Sequence, residues 1–241
     1  MPNHILHKAA TRGHANHGWL NSYQTFSFSS YYNPERIQFG ALRVLNDDIV
    51  AGGKGFGIHP HENMEIISIP LEGALEHQDN LGNTQVTKAG EIQVMSTGSG
   101  VFHSEYNYNK DKDAKFLQIW LYPRELNVTP RYVQTVLNTA QQHNQLQQII
   151  SPDPEDAGSW IHQDAWFHLG TFDKDQSFDY TARKAGNGIY VFIISGSVNT
   201  NGQLLEQRDG LGITGAATIN ITSLEDNSQI LLMDVPMEIN L

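Results

Sequence analysis

Short β-rich runs, broken by turn residues every eight to twelve positions, constrain this chain more than any other feature. Branched and aromatic residues concentrate at Phe39–Leu45, Glu65–Leu71, Gly73–His77, Glu91–Met95, Lys115–Tyr122, Gly188–Ile194 and Ile230–Val235. Between such runs stand Glu72-Gly73, Leu81-Gly82-Asn83, Ala89-Gly90, Ser195-Gly196, Asn201-Gly202 and Asp209-Gly210. Parallel strands joined by helices need crossovers of a dozen residues or more, for which this spacing leaves no room. The expected fold is therefore all-β, a sandwich or barrel with few short helices. A helix is plausible only in a few stretches, such as Thr139–Ile149, rich in Gln and Leu.

The chain is expected to divide into residues 1–138 and 139–241. The second part opens with that Gln-rich stretch and runs into Ser151-Pro152-Asp153-Pro154, whose two prolines read as a connection. A weak internal repeat supports two copies of one unit. Gly73, Gly82 and Gly90 in the first half answer to Gly196, Gly202 and Gly210 in the second. Overlaying the copies puts Ala182 and Lys184 opposite His59 and His61, and Ser223 and Glu225 opposite His103 and Glu105. A metal site built on the first set would thus be missing from the second copy.

Composition limits the chemistry. The absence of cysteine removes disulfides, thiolate catalysis and thiolate metal sites together. Eleven histidines are present, so a metal would be held by imidazole and carboxylate. The formal charge of −11 repels phosphate backbones, and no basic stripe is present, so direct nucleic-acid binding is not expected. No apolar run is long enough for a membrane span, and the opening residues carry no secretory h-region. A cytoplasmic location follows as the default expectation.

Two short motifs carry the chemistry: His59-Pro60-His61 and His103-Ser104-Glu105. Residues two apart on a strand share a face, so each motif can aim two side chains at one point. Two such strands facing across a barrel would bring three imidazoles and a carboxylate to one first-row divalent ion, with room left for water, oxygen or substrate. A His-x-His pair alone is weak evidence, since eleven histidines in this length give about half a pair by chance. Context strengthens it. Gly53 precedes His59 by six positions, Gly90 precedes His103, Gly98 and Gly100 lie in the turn before it, and Asn107 follows it. These approximate the two cupin signatures, with Ser96 in place of a proline and four residues rather than two between Gly98 and His103.

The stretches GFGIHPHENMEIISIPLEGALEHQDNLGN and AGEIQVMSTGSGVFHSEYN, with RGHANHGWLNSYQTFSFSSYYNPERIQFGALRVLNDD before them, resemble the pirin family. The similarity is strong over about the first 135 residues and looser beyond, through HQDAWFH and LLMDVP. The resemblance implies a bicupin, two jelly-roll β-barrel domains with metal in the N-terminal one only. It assigns the metal to His59, His61, His103 and Glu105. Glu65, which shares strand parity with His59 and His61, stands as the competing carboxylate or as a partner of a ligand imidazole. The metal expected first is Fe(II), with Mn, Ni, Cu or Zn also accommodated.

The resemblance further implies quercetin 2,3-dioxygenase activity, in which O2 cleaves a flavonol-type ring and CO leaves, with Glu105 as the catalytic group that takes the proton of the 3-hydroxyl. Two other classes stand beside it: a metal-dependent binding or regulatory protein without physiological turnover, and a non-redox zinc isomerase. No motif identifies a protein partner. His77 reads as structural, His14 and His17 as groups that cap the barrel mouth or hold the N-terminal segment, and His4, His7, His143 and His162 as surface residues. The aromatics Tyr23, Phe26, Phe28, Tyr31 and Tyr32 read first as core and second as a wall for a flat ligand.

Overall fold

The computed structural model describes residues 2–239, and it is almost entirely β. Each half folds as a jelly-roll, a seven-stranded sheet facing a four-stranded one, rather than as a hydrogen-bonded cylinder closed all round. In the first half the large sheet runs Arg131–Val136, Glu91–Ser96, Glu65–Glu72, Ala114–Leu121, Leu42–Val50, Leu20–Gln24 and Gly13–Asn16. Its small sheet runs Gly55–His61, Val101–Asn107, Ala74–Asp79 and Thr84–Lys88. The large sheet of the second half is centred on Asn187–Ser195 and Ser228–Pro236.

Sheet pairing crosses the expected division at 138 once. Asn3–His7 pairs antiparallel with Gly210–Thr214, so this strand belongs to the second half's large sheet. Thr139–Ile149, where the sequence made a helix plausible, holds only a 3-10 turn at Thr139–Gln142, after which Gln147–Ser151 is a strand. The strand wins because Ile149 and Ile150 are fully buried against the core, whereas a lone helix of that length is marginal. His7 is a second departure. It is buried, with Nδ1 2.8 Å from the Tyr190 hydroxyl, and burial lowers its pKa to about 4.

The main core lies between the two halves. Leu45, Ile67, Val94 and Ile119 on one large sheet pack against Phe167, Phe192, Leu231 and Met233 on the other. Residues of alternate parity point the opposite way, into each jelly-roll, and there the halves differ. The second interior is filled by Ile189, Val191, Ile193, Leu211, Ile230 and Leu232. The first carries Asn46, Asp48, Ser68, Gln93 and Gln118 at its centre, all buried. One apolar core therefore holds both halves while leaving the first interior free for polar groups.

Phe39 bridges the halves. It is 2% exposed and lies 5.4 Å from the Tyr190 ring, in space left by Gly188 and Gly212, where a Cβ would approach Phe39 to 2.7 and 2.6 Å. Phe39→Ala should cost about 3–5 kcal/mol of stability in urea unfolding, through lost burial and the cavity left behind. A loss under about 1 kcal/mol would show that this junction does not hold the halves together.

Candidate metal centre

His59 and His103 are direct cross-strand partners. Gly55–His61 and Val101–Asn107 pair antiparallel with His103 opposite His59 and Val101 opposite His61. The two motif strands are therefore neighbours in one sheet and do not face each other across a barrel, which corrects the expected arrangement. Directly opposed residues share a face with their Cβ atoms about 5 Å apart, so adjacency converges the side chains more tightly. The first strand alternates over its last four residues: Ile58 and Pro60 are exposed, while His59 and His61 turn inward, half-buried.

The imidazoles of His59, His61 and His103 converge, with one nitrogen from each within 4.8 Å of the others. His59 Nε2 and His103 Nε2 are 3.0 Å apart. First-row ions bind imidazole nitrogen at about 2.0–2.1 Å, which puts two adjacent ligands about 3 Å apart, so the pair fits one ion. His59 Nδ1 lies 2.8 Å from the Gly57 carbonyl. A carbonyl only accepts, so Nδ1 carries the proton and the Nε2 lone pair is free. Burial, and then the neighbouring His103 and His59, lower the pKa of His61 to about 4. Burial, and then His59 and His77, lower that of His103 to about 3. Both rings are thus neutral near pH 7, the state a metal requires.

A register shift between His103 and Glu105 leaves Glu105 opposite Phe56. Its carboxylate groups with His103 and His77 rather than with all three imidazoles, while it lines the same pocket as His59 and His61. Gln93 Nε2 donates to Oε1 at 2.5 Å and Gln118 Nε2 to Oε2 at 3.0 Å. Ser68 Oγ also lies 3.5 Å from Oε1, so Oε2 is the oxygen that keeps a lone pair beyond these bonds.

Glu65 lies elsewhere. It accepts from Ser96 Oγ at 2.7 Å and is in neither histidine cluster, so it partners no ligand imidazole. The parity count fails because the chain passes from the small sheet to the large one between His61 and Glu65, through the left-handed Asn63. His77 is fully buried and faces His103 and Glu105. His14 and His17 are exposed, His14 stacking on Tyr23 at 4.5 Å.

The pocket over this cluster has a volume of about 260 Å³. Phe28, Phe56 and Trp120 give it aromatic sides, and Asn46, Asp48 and Gln118 give it polar ones. Of the aromatic cluster noted in the sequence, Phe26 is core and Phe28 is wall. Asn46 Oδ1, Asp48 Oδ1 and Trp120 Nε1 are buried without a hydrogen-bond partner in the protein. Burial raises the pKa of Asp48 to about 7 against the pull of Ser22, and Asp47 and Glu105 push it further up. Sequence reasoning had not singled out Asn46, Asp48, Gln93, Gln118 or Trp120.

These features define a two-domain cupin with a histidine cluster in its first domain. Residues 6–121 match the family model Pirin, and residues 148–235 match the Quercetinase C-terminal cupin domain. The chain belongs to the pirin family. It is 42% identical to a quercetin 2,3-dioxygenase of Escherichia coli K12 over 231 residues, 96% of this chain and 98% of that protein. A pirin-like protein of Caulobacter vibrioides is 40% identical over 92% of this chain and 95% of its own. The crystal structure of bacterial pirin YhhW from E. coli in complex with nickel(II) superposes with a TM-score of 0.91 at 41% identity, covering 97% of this chain and 99% of that one. No helix among the described residues is long and apolar enough to cross a membrane.

A carboxyl with a raised folded pKa binds protons that the unfolded chain releases, so its contribution to stability falls as pH rises between the two values. For Asp48 that window runs from about 4 to about 7. Asp48→Asn should therefore raise stability relative to the parent more at pH 8 than at pH 5. At about 1.4 kcal/mol per pKa unit the difference should reach a few kcal/mol. Equal effects at both pH values in chemical unfolding would mean that Asp48 is ionised throughout.

Proposed function

We propose that this chain is a metal-dependent dioxygenase that opens a flavonol-type ring with O2 and releases CO. The observation that carries this reading is the convergence of three imidazoles at the base of a pocket with aromatic walls and unpaired polar atoms. His59, His61 and His103 would hold one divalent ion, with Glu105 as the fourth ligand. A bound redox-active ion would supply coordination of the substrate's 3-hydroxyl oxygen and activation of O2. Fe(II) is the first choice, and the nickel bound by the related YhhW supports Ni(II) as well.

The chain's own residues supply position and proton handling. Phe28, Phe56 and Trp120 form walls against which a flat ring can lie. A hydroxylated ligand would satisfy Asn46 Oδ1, Asp48 Oδ1 and Trp120 Nε1, each of which is costly to leave buried and unpaired. Glu105, steadied by Gln93 and Gln118, takes the proton of the 3-hydroxyl as that oxygen binds. Per turnover one O2 is consumed: the bonds joining C3 to C2 and C4 break, both oxygen atoms enter the phenolic ester product, and C3 leaves as CO.

Protein reconstituted separately with Fe(II), Mn(II), Ni(II) and Cu(II) should, under air, bleach quercetin absorbance and evolve one CO per flavonol with at least one ion. His103→Ala should lose both ion and turnover. Glu105→Gln should lower kcat by about 10²-fold or more. Stoichiometric binding of all four ions without turnover would replace the dioxygenase reading with that of a metal-dependent binding protein.

A further inference from the structure

Behind His103, on the side away from His59, lies a second buried chain of polar groups. Val101–Asn107 pairs on its other edge with Ala74–Asp79, placing Asp79 opposite His103 and His77 opposite Glu105. His77 Nδ1 is 3.3 Å from His103 Nδ1, and His77 Nε2 is 2.9 Å from Asp79 Oδ2. The His77 ring is fully buried and stacks on Tyr132 at 4.4 Å, 23° from parallel.

Donor and acceptor roles along this chain follow by elimination. Asp79 receives hydrogen bonds from Leu81 N (3.0 Å) and Asn83 N (2.9 Å) at Oδ1, and from Asn83 Nδ2 (2.8 Å) at Oδ2. Every partner is a donor, so the carboxylate acts as a pure acceptor and His77 Nε2 carries a proton. With Nε2 committed to Asp79, Nδ1 is the His77 atom left to accept from His103, which meets it through its own Nδ1. That leaves the His103 Nε2 lone pair aimed at His59 Nε2, whose lone pair the Gly57 carbonyl has likewise freed. Two lone pairs 3.0 Å apart repel unless a cation lies between them.

We propose that Asp79 and His77 form a positioning relay that locks His103 in the tautomer and ring orientation required for metal binding through Nε2. This rests on the reading of His59, His61 and His103 as ligands, and it gives His77 a role although the sequence reads it as structural. His77 is not a ligand itself, because both its nitrogens are engaged, one by Asp79 and the other by His103. Outer partners of this kind raise the basicity of a ligand imidazole and restrict its rotation, and losing one typically costs 10–100-fold in metal affinity.

The test is a Ni(II) titration by chelator competition, with Co(II)-loaded protein for proton NMR. The parent should bind one Ni(II) and show a solvent-protected, paramagnetically shifted N–H resonance from His103 Nδ1. His77→Phe should still bind one ion, 10–100-fold more weakly, and lose that resonance to exchange. His77→Gln, whose amide oxygen can accept from His103, should recover part of the affinity, and it serves as the test variant if the phenylalanine form does not fold. Affinity within twofold of the parent together with a retained resonance, in whichever variant folds, would overturn the relay while leaving the metal site intact. Loss of all binding in both variants, as for His103→Ala, would make His77 a ligand. A parent chain that takes up no Ni(II) or Co(II) would remove the metal site and the relay with it.

Discussion

The antiparallel pairing of Gly55–His61 with Val101–Asn107 is the constraint on which the site depends. Backbone hydrogen bonds between these strands place His59 against His103, and strand alternation adds His61 on the same face. No loop has to order for the three imidazoles to meet. The site therefore inherits the rigidity of a sheet, which suits a centre whose ligands must be held to within a fraction of an ångström. The register shift comes from an extra residue in Gly55–His61, where Gly57 and Ile58 stand against Ser104 alone, and Val101–Asn107 keeps its regular alternation, so Glu105 lies on the same strand face as His103.

The two halves share an architecture and differ in what fills it. The second jelly-roll packs isoleucine, valine and leucine into its interior. The first places amide and carboxylate side chains there, and Gln93, Gln118 and Ser68 surround Glu105. Polar groups at such depth weaken a domain unless they are paired, and most of these are paired. The apolar packing lost from the first interior is offset by the large sheet-to-sheet core shared with the second half. A densely packed apolar domain thereby supports one whose centre is polar.

The strand rhythm made the fold class legible, and the parity of His59 and His61 together with the repeat of that pattern at His103 made the histidine cluster legible. The polar interior was not, for a definite reason. Gln93 alternates with apolar neighbours in EIQVMS and Gln118 in AKFLQIWL, while Asn46 and Asp48 fall in the polar run Asn46-Asp47-Asp48 of LRVLNDDIV. Alternation of this kind normally marks a strand with one face to solvent, and periodicity cannot distinguish water from a polar cavity. Parity also misleads across a change of sheet, as at Glu65. His77 and Asp79, two apart in ALEHQD, did carry a signal, because they share a strand face just as His59 and His61 do.

The strand Asn3–His7 has its hydrogen-bonding partner, Gly210–Thr214, at the far end of the chain. On a ribosome it emerges long before that partner exists, and it stays an unpaired edge until nearly everything else has been made. The first half is thus joined to its companion by this strand as well as by the continuous chain, and the pairing joins sequence-distant segments, a slow class of folding event.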